Sequence, residues 1–279
     1  MDDRPIGIFD SGLGGLTAVR TLERLLPGED LIYFGDSANA PYGTRPLPEL
    51  RALALGNAGL LAGEGAKAVL VACGTVSSNA MDTLRERYEL PFFDVLEAPC
   101  REALRVSEGG RIAVAATEAT IRSGAFERRL HESAGEWGVE VFAKACQSLV
   151  QTVERGHFQP DDPEAVRAVE LEMEPIRAFA PDTLLLACTH FPLLEDAIRA
   201  YLGPEVRLIS VGDAAAAALR DALERRGMRS ERKTGTRRFY TSGDPEAFAA
   251  NAARFLGHPI TAERRGNGVT LPPEQRSII

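Results

Sequence analysis

The sequence predicts an α/β protein made of two similar lobes, each a parallel β-sheet covered by helices. Eight short runs rich in Val, Ile, Leu and Ala alternate with amphipathic stretches. Most of the runs are apolar throughout, which is typical of parallel strands buried on both faces. The predicted strands are Ile6–Phe9, Leu31–Phe34, Ala68–Ala72, Phe92–Val95, Arg111–Ala115, Val139–Ala143, Thr183–Ala187 and Val206–Ser210.

Two stretches that resemble each other indicate an internal repeat. In each, an apolar run is followed by Ala-Cys and then by small or hydroxyl residues. The first stretch, Val69–Thr75, contains Cys73, and the second, Leu184–His190, contains Cys188. The repeat predicts that the two thiols occupy equivalent places in the two lobes.

The repeat also extends to the strand that opens each block. Asp10 follows the first strand, Thr117 follows the fifth, and each precedes its cysteine by a similar interval. We therefore expect a lobe boundary near Ala98. Ligands of such sheets bind at the carboxyl ends of the strands, so one cleft between the lobes could collect these side chains and both thiols.

The predicted helices lie between the strands. One apolar face is formed by Leu16 and the residues at helical spacing after it, and Asp162-Pro163 is typical of a helix start. Pro192 is expected to begin another helix. The polar tail after Arg264 is expected to be loosely ordered.

Composition excludes several function classes. The chain has 279 residues, 44% of them hydrophobic, and a net charge of −8, so it has no global basic footprint for nucleic acid. The basic residues from Arg229 to Arg238 are too few to change this. No apolar run reaches the roughly 18 residues of a membrane span, and no signal peptide is recognised. Four cysteines in no zinc or disulfide pattern predict reduced thiols and a cytoplasmic location.

The two thiols are the leading candidates for chemistry. A thiol at a strand end before a helix lies near free backbone N–H groups, which would lower its pKa. Two facing thiols suit removal of a proton from one side of a carbon and its return to the other. Free cysteines are more often merely buried apolar groups, and this is what we expect of Cys100 and Cys146. For Cys73 and Cys188 the matched contexts favour catalysis.

Helper groups follow from position. Asp10 could bond Cys73 or a substrate amine, or could simply cap a helix. His190, two residues after Cys188, could tune that thiol or pack at a helix entrance. Glu154 by itself is most simply a surface carboxylate. A metal at Cys188 and His190 is weakly supported, because no further ligand cluster follows.

Loop residues complete the candidate site. Ser11–Gly15 could cradle an anion, but it lacks both the Walker and the dinucleotide spacing, so no nucleotide cofactor is expected. The turn Pro41–Arg45 could hold a carboxylate through backbone N–H groups and the phenol of Tyr42. Further hydroxyl donors, each of which could equally be a cap, are Thr75, Thr117, Thr120 and Thr189.

At these residues the chain resembles the glutamate racemases of the cofactor-independent aspartate/glutamate racemase superfamily, over nearly its whole length. The matching motifs are Phe9–Leu16, Tyr33–Asp36, Pro41–Arg45, Val71–Cys73, Ala119–Gly124, Cys188–Leu194 and Phe239–Pro245. The resemblance implies interconversion of L- and D-glutamate without pyridoxal phosphate or metal, supplying D-glutamate for peptidoglycan.

The resemblance also implies roles, a domain plan and a partner. The catalytic residues would be Cys73, Cys188, Asp10, Glu154 and His190. The substrate contacts would be Asp10, Ser11, Pro41, Tyr42, Gly43, Gly74, Thr75, Thr117, Thr120, Thr189 and His190. Residues 1–98 with 206–279 would form one domain and 99–205 the other, related by pseudo-twofold symmetry with the active site in the cleft between them. A homodimer is expected.

Three departures from the family pattern leave alternatives open. Gly74 stands where the family usually has Asn, the stretch Cys146–Thr152 lacks the family's prolines, and Ser210 replaces a commonly acidic or amide residue. The first alternative is a racemase of another acidic amino acid such as aspartate. The second is a catalytically silent paralogue that only binds a ligand. A single-thiol decarboxylase or lyase is disfavoured, because both cysteines are present.

Overall fold

The structure, a computed structural model that describes residues 1–269, contains two parallel β-sheets covered by helices. The strands are β1 Ile6–Asp10, β2 Leu31–Gly35, β3 Ala68–Val71, β4 Phe92–Asp94, β5 Arg111–Ala116, β6 Glu140–Ala145, β7 Thr183–Leu186, β8 Arg207–Ser210, β9 Arg237–Thr241 and β10 Glu263–Arg264. All eight predicted strands are confirmed within a residue or two. The predicted α/β class is therefore confirmed, and β9 and β10 are additions.

Helices connect the strands, as expected for parallel pairing. They are α1 Leu16–Leu25, α2 Leu47–Gly63, α3 Gly74–Asn79, α4 Met81–Arg87, α5 Glu97–Val106, α6 Glu118–Ser123, α7 Ala125–Ala134, α8 Gln147–Glu154, α9 Pro163–Phe179, α10 Glu195–Leu202, α11 Val211–Arg225 and α12 Pro245–Leu256. Asp162 caps α9 by accepting from the Glu164 N–H, as the sequence predicted. Pro192, in contrast, lies in a 3₁₀ turn that precedes α10.

The two sheets repeat one strand order. The first sheet runs β10-β9-β2-β1-β3-β4, and the second runs β6-β5-β7-β8. In the first sheet β1 lies between β2 and β3, and β4 lies beside β3. In the second sheet β5 lies between β6 and β7 in the same way, and β8 lies beside β7. Asp10 therefore ends β1 and Cys73 follows its neighbour β3 in the first sheet, whereas Thr117 and Cys188 follow the neighbouring strands β5 and β7 of the second.

Both faces of the first sheet are buried. Ile6 and Ile8 point into a core that continues through the second sheet, whereas Phe9 and Val71 point into a separate core beneath α2. Because successive strand residues face opposite sides, burial of both faces requires apolar residues at every position. This explains the unbroken apolar runs of the sequence.

The chain leaves the second sheet later than expected. We expected a return to the first domain near Val206, but β8 pairs with β7 in the second sheet. The return therefore comes after Ser210, through α11, which packs against α1 and α5. β9 then joins the first sheet beside β2. The domain boundary near Ala98 stays a prediction.

The tail after Arg264 is partly ordered, contrary to expectation. The Asn267 amide donates to Asp36 Oδ2 at 3.1 Å and to Asn57 Oδ1 at 2.8 Å, and Val269 packs against the core beneath α2. The rest of the predicted loose tail, residues 270–279, lies outside the described residues. None of the helices within residues 1–269 is long and apolar enough to cross a lipid bilayer.

Candidate active site

One cavity lies where the carboxyl ends of the two sheets meet. Every residue that the sequence predicted for the site lines it. These residues are Asp10, Ser11, Pro41, Tyr42, Gly43, Cys73, Gly74, Thr75, Thr117, Thr120, Glu154, Cys188, Thr189 and His190. The repeat of strand order explains the convergence, because equivalent strand ends of the two lobes open on the same space.

Cys73 lies between β3 and α3 and is only 4% exposed. Burial and the nearby charge of Asp10 raise the pKa of this thiol to about 12. Hydrogen bonds from the Val76 and Ser11 backbone N–H groups and from the Ser11 hydroxyl lower it, but they do not compensate. The Cys73 thiol is therefore neutral near pH 7.

Cys188 follows β7 and is 6% exposed. Burial raises the pKa of this thiol as well, and the His190 backbone N–H opposes the shift. The charges of Asp10, Cys73 and Glu154 raise it further, so a charge on one thiol disfavours a charge on the other. Our expectation of lowered thiol pKa values is therefore wrong for this state: the N–H groups are present, but desolvation outweighs them.

His190 links Cys188 to Glu154. The His190 Nδ1 lies 3.7 Å from Cys188 Sγ, and its Nε2 lies 3.6 Å from Glu154 Oε1. The imidazole is nearly buried, at 8% side-chain exposure, whereas Glu154 is 46% exposed. In this series of three side chains, the Glu154 carboxylate therefore lies nearest the solvent and the Cys188 thiol lies innermost.

Asp10 is buried and positioned by the start of α1. Its Oδ2 accepts from the Gly15 N–H at 3.0 Å, which is the capping contact that the sequence allowed. Its charge nevertheless acts on both Cys73 and Cys188. Asp10 thus lies close enough to influence either thiol.

Two glycines allow the lobes to approach each other at the cavity. A Cβ on Gly14 would lie 2.2 Å from Thr189 Oγ1 and 2.7 Å from His190 Nδ1. A Cβ on Gly74 would lie 2.8 Å from the carbonyl oxygen of Ala187. Real Cβ atoms do not approach backbone oxygens this closely, so the residue after Cys73 has no room for a side chain in this arrangement.

Hydroxyl groups of the cavity lining bridge the two lobes. Thr75 Oγ1 lies 3.3 Å from Thr117 Oγ1, which in turn donates to Thr120 Oγ1 at 3.0 Å. Thr117 also accepts from the Thr120 backbone N–H as the cap of α6. The capping and cavity-lining roles therefore coincide at Thr117.

The phenol of Tyr42 is not free to bind a carboxylate, contrary to the sequence interpretation. Its hydroxyl donates to Asp36 Oδ2 and accepts from the Asn57 amide at 2.9 Å. Asn267 donates to the same Asp36 oxygen. Tyr42 therefore anchors its loop to Asp36 and Asn57.

Sequence reasoning missed several lining residues, namely Ala40, Gln147, Val150 and Ala187, and it included Gly12 only as part of the loop Ser11–Gly15. Gln147 and Val150 share with Glu154 the face of α8 that turns to the cavity. Their spacing of three and then four residues was the available signal. Within residues 1–269 no group of three potential metal-ligating His, Cys, Asp or Glu side chains occurs.

Comparison with known proteins gives consistent matches. The family model described as Asp/Glu/Hydantoin racemase matches residues 6–219. A glutamate racemase of Desulforudis audaxviator is 41% identical over 92% of this chain and 96% of its own. The crystal structure of the glutamate racemase isoform RacE1 from Bacillus anthracis superposes with a TM-score of 0.92 at 32% identity, covering 97% of this chain and all of the other.

Two further structures bear on the ligand. A Francisella tularensis glutamate racemase in complex with D-glutamate gives a TM-score of 0.88 at 31% identity, covering 96% of this chain and 99% of the other. An aspartate racemase of Picrophilus torridus gives only 0.58 at 17% identity and shares the fold alone. These matches confirm the resemblance that the sequence motifs indicated.

Proposed function

Because this chain belongs to the Asp/Glu/Hydantoin racemase family, we propose that it interconverts L- and D-glutamate by proton transfer between the substrate α carbon and two thiols, Cys73 and Cys188. It is an amino-acid racemase, and the D-glutamate it forms would supply peptidoglycan. The observation that carries the proposed mechanism is that the two thiols follow equivalent strands of the two lobes and line one cavity.

In the proposed reaction one thiol acts as base and the other as acid. The thiolate of one cysteine takes the α proton, forming an S–H bond, and the electron pair of the broken C–H bond passes into the substrate carboxylate as an enolate. The opposite thiol then protonates the other face of the α carbon and becomes a thiolate. Because Cys73 and Cys188 exchange these roles, the same site serves both directions.

The substrate itself would help to form the thiolate. Both thiols are held neutral by burial, with the charge of Asp10 adding to the effect. A substrate ammonium group beside Asp10 would offset that charge and place a positive charge near the thiols, which favours the thiolate form. This assigns Asp10 to the substrate amine and delays base formation until the substrate is bound.

The remaining groups would assist the thiols or hold the substrate. His190 would carry or stabilise a proton next to Cys188, with Glu154 orienting the ring from the solvent side. Ser11 would stabilise the Cys73 thiolate. The hydroxyls of Thr75, Thr117, Thr120 and Thr189 would donate to substrate carboxylates, as would the backbone N–H groups of Tyr42 and Gly43 beside Pro41.

Proton exchange tests this proposal. The protein is incubated with L-glutamate, D-glutamate, L-aspartate or D-aspartate in deuterated water, and α-deuterium is followed by NMR. We expect deuterium at the α carbon from both glutamate enantiomers and much slower exchange with aspartate. Exchange with aspartate alone would identify aspartate, rather than glutamate, as the substrate. Ligand binding without exchange from any of the four would favour a silent paralogue.

A homodimer and a cytoplasmic location belong to the same proposal. Four free, buried cysteines suit a reducing compartment. Light scattering of the purified protein and fractionation of the source cells would test the two statements separately.

A further inference from the structure

The cavity-facing side of α8 carries one group that the reaction described above does not use. Gln147, Val150 and Glu154 are spaced three and then four residues apart, so they share one face of the helix, and all three line the cavity. Leu149 and Val153 on the other side are buried in the core. The helix thus presents an amide at its start and a carboxylate at its end to the same space.

The cavity has few groups that can hold the two carboxylates of a glutamate. Among its described lining residues there is no Lys or Arg, while Asp10 and Glu154 contribute negative charge. Substrate carboxylates must therefore be held chiefly by neutral donors, namely backbone N–H groups, hydroxyls and side-chain amides. In such a site each neutral donor matters more than it would beside an arginine.

Two nearby positions are unavailable as side-chain donors. The Tyr42 hydroxyl already donates to Asp36. Position 74 has no room for a side chain unless the backbone shifts, because a Cβ there would lie 2.8 Å from the Ala187 carbonyl oxygen. Gln147 is the only side-chain amide among the described lining residues, and no other described residue accepts a hydrogen bond from that amide.

We propose that the Gln147 side-chain amide donates a hydrogen bond to a carboxylate of the substrate and thereby supplies, from the second lobe, an amide contact that position 74 cannot provide. This inference rests on the proposed function, since it takes an acidic amino acid as the substrate. Gln147 is then a substrate-binding residue that is not among those implied by the family resemblance.

The test uses two variants of similar side-chain length. Gln147→Met removes the donor, and Gln147→Glu keeps the shape and an acceptor oxygen but replaces the donor with a negative charge. The control is Gln151→Met, which makes the same change at an exposed position one turn further along α8 and outside the cavity. KM and kcat for L- and D-glutamate are measured for the wild type and all three variants.

We expect Gln147→Met to raise KM roughly tenfold for both enantiomers with little change in kcat, because a hydrogen bond to a charged group is lost from ground and transition states alike. Gln147→Glu should raise KM about a further tenfold through repulsion of the carboxylate. Gln151→Met should match the wild type.

Two results would overturn the inference while leaving the proposed function intact. One is a wild-type KM in Gln147→Met. The other is tighter binding by Gln147→Glu than by Gln147→Met, which would mean that the amide oxygen accepts from the substrate ammonium. A wild-type protein that exchanges no α proton of glutamate would overturn both the proposed function and the inference.

Discussion

The imidazole of His190 lies against the Cys188 thiol, with Nδ1 3.7 Å from Sγ. No imidazole among residues 1–269 hydrogen-bonds Cys73; the donors to this thiol are Ser11 and the Val76 backbone N–H. The two thiols therefore occupy equivalent strand ends but differ in the groups that assist them. Loss of a group that assists one thiol should consequently affect proton transfer at that thiol more than proton transfer at the other.

Replacing His190 by Ala should lower kcat about 100-fold, since positioned acid–base groups contribute on this scale, with a smaller change in KM. Glu154→Gln should cost less, because Glu154 is half exposed and 3.6 Å from the ring. Steady-state kinetics in both directions would measure this. The control is His131→Ala, at an exposed position of α7, and a His190→Ala kcat within twofold of the wild type would contradict the role.

Cys73→Ser and Cys188→Ser should each lower net racemisation by at least ~1000-fold, because each removes the acid or base from one face of the α carbon. Circular dichroism of the amino acid would follow the reaction. Cys100→Ala is the matched control, since Cys100 is a fully buried thiol on α5 that does not line the cavity. Net racemisation by either serine variant at wild-type rates would contradict the two-thiol mechanism.

Gly74→Ala should reduce the free energy of unfolding by about 1–3 kcal/mol, because the added Cβ meets the Ala187 carbonyl oxygen and the backbone must shift. It should also reduce kcat by displacing Cys73. Gly12 lines the same cavity, but a Cβ there would have open space around it. Gly12→Ala should therefore change the free energy of unfolding by less than about 0.5 kcal/mol. Urea unfolding of both variants distinguishes crowding from a general effect of alanine.

Stability should fall at alkaline pH, in part through Cys73. The pKa of this thiol is raised from 9.0 to about 12, so above pH 9 the unfolded chain releases a proton that the folded chain retains. The contribution of the Cys73 thiol to the free energy of unfolding is fully present below pH 9 and is lost as the pH rises toward 12. Urea unfolding across this range should show a shallower decline for Cys73→Ala than for the wild type. Parallel declines would mean that Cys73 titrates normally in the folded protein.

Much of this architecture could be predicted from residue pattern. Parallel strands buried on both faces need uninterrupted apolar runs, so β1 to β8 were recognisable, whereas β9 begins with Arg237 and Arg238 and was not. The repeat around Cys73 and Cys188 also sufficed to predict a shared cleft, because equivalent strands end at equivalent places in the two lobes. Counting back from Glu154 by four and then three residues, the spacing of one helix face, would have identified Val150 and Gln147 on α8.

The sequence by itself determined the fold class, the placement of two free thiols at equivalent strand ends and the set of residues around them. Only the tertiary structure decided how those residues behave. Desolvation, which depends on neighbours distant in the chain, outweighs the local N–H donors and raises both thiol pKa values. Contact between the lobes closes position 74 against Ala187, and a hydrogen bond within the first lobe commits the Tyr42 hydroxyl to Asp36. These outcomes depend on distances between separate segments, and a linear pattern of residue types carries no such distances.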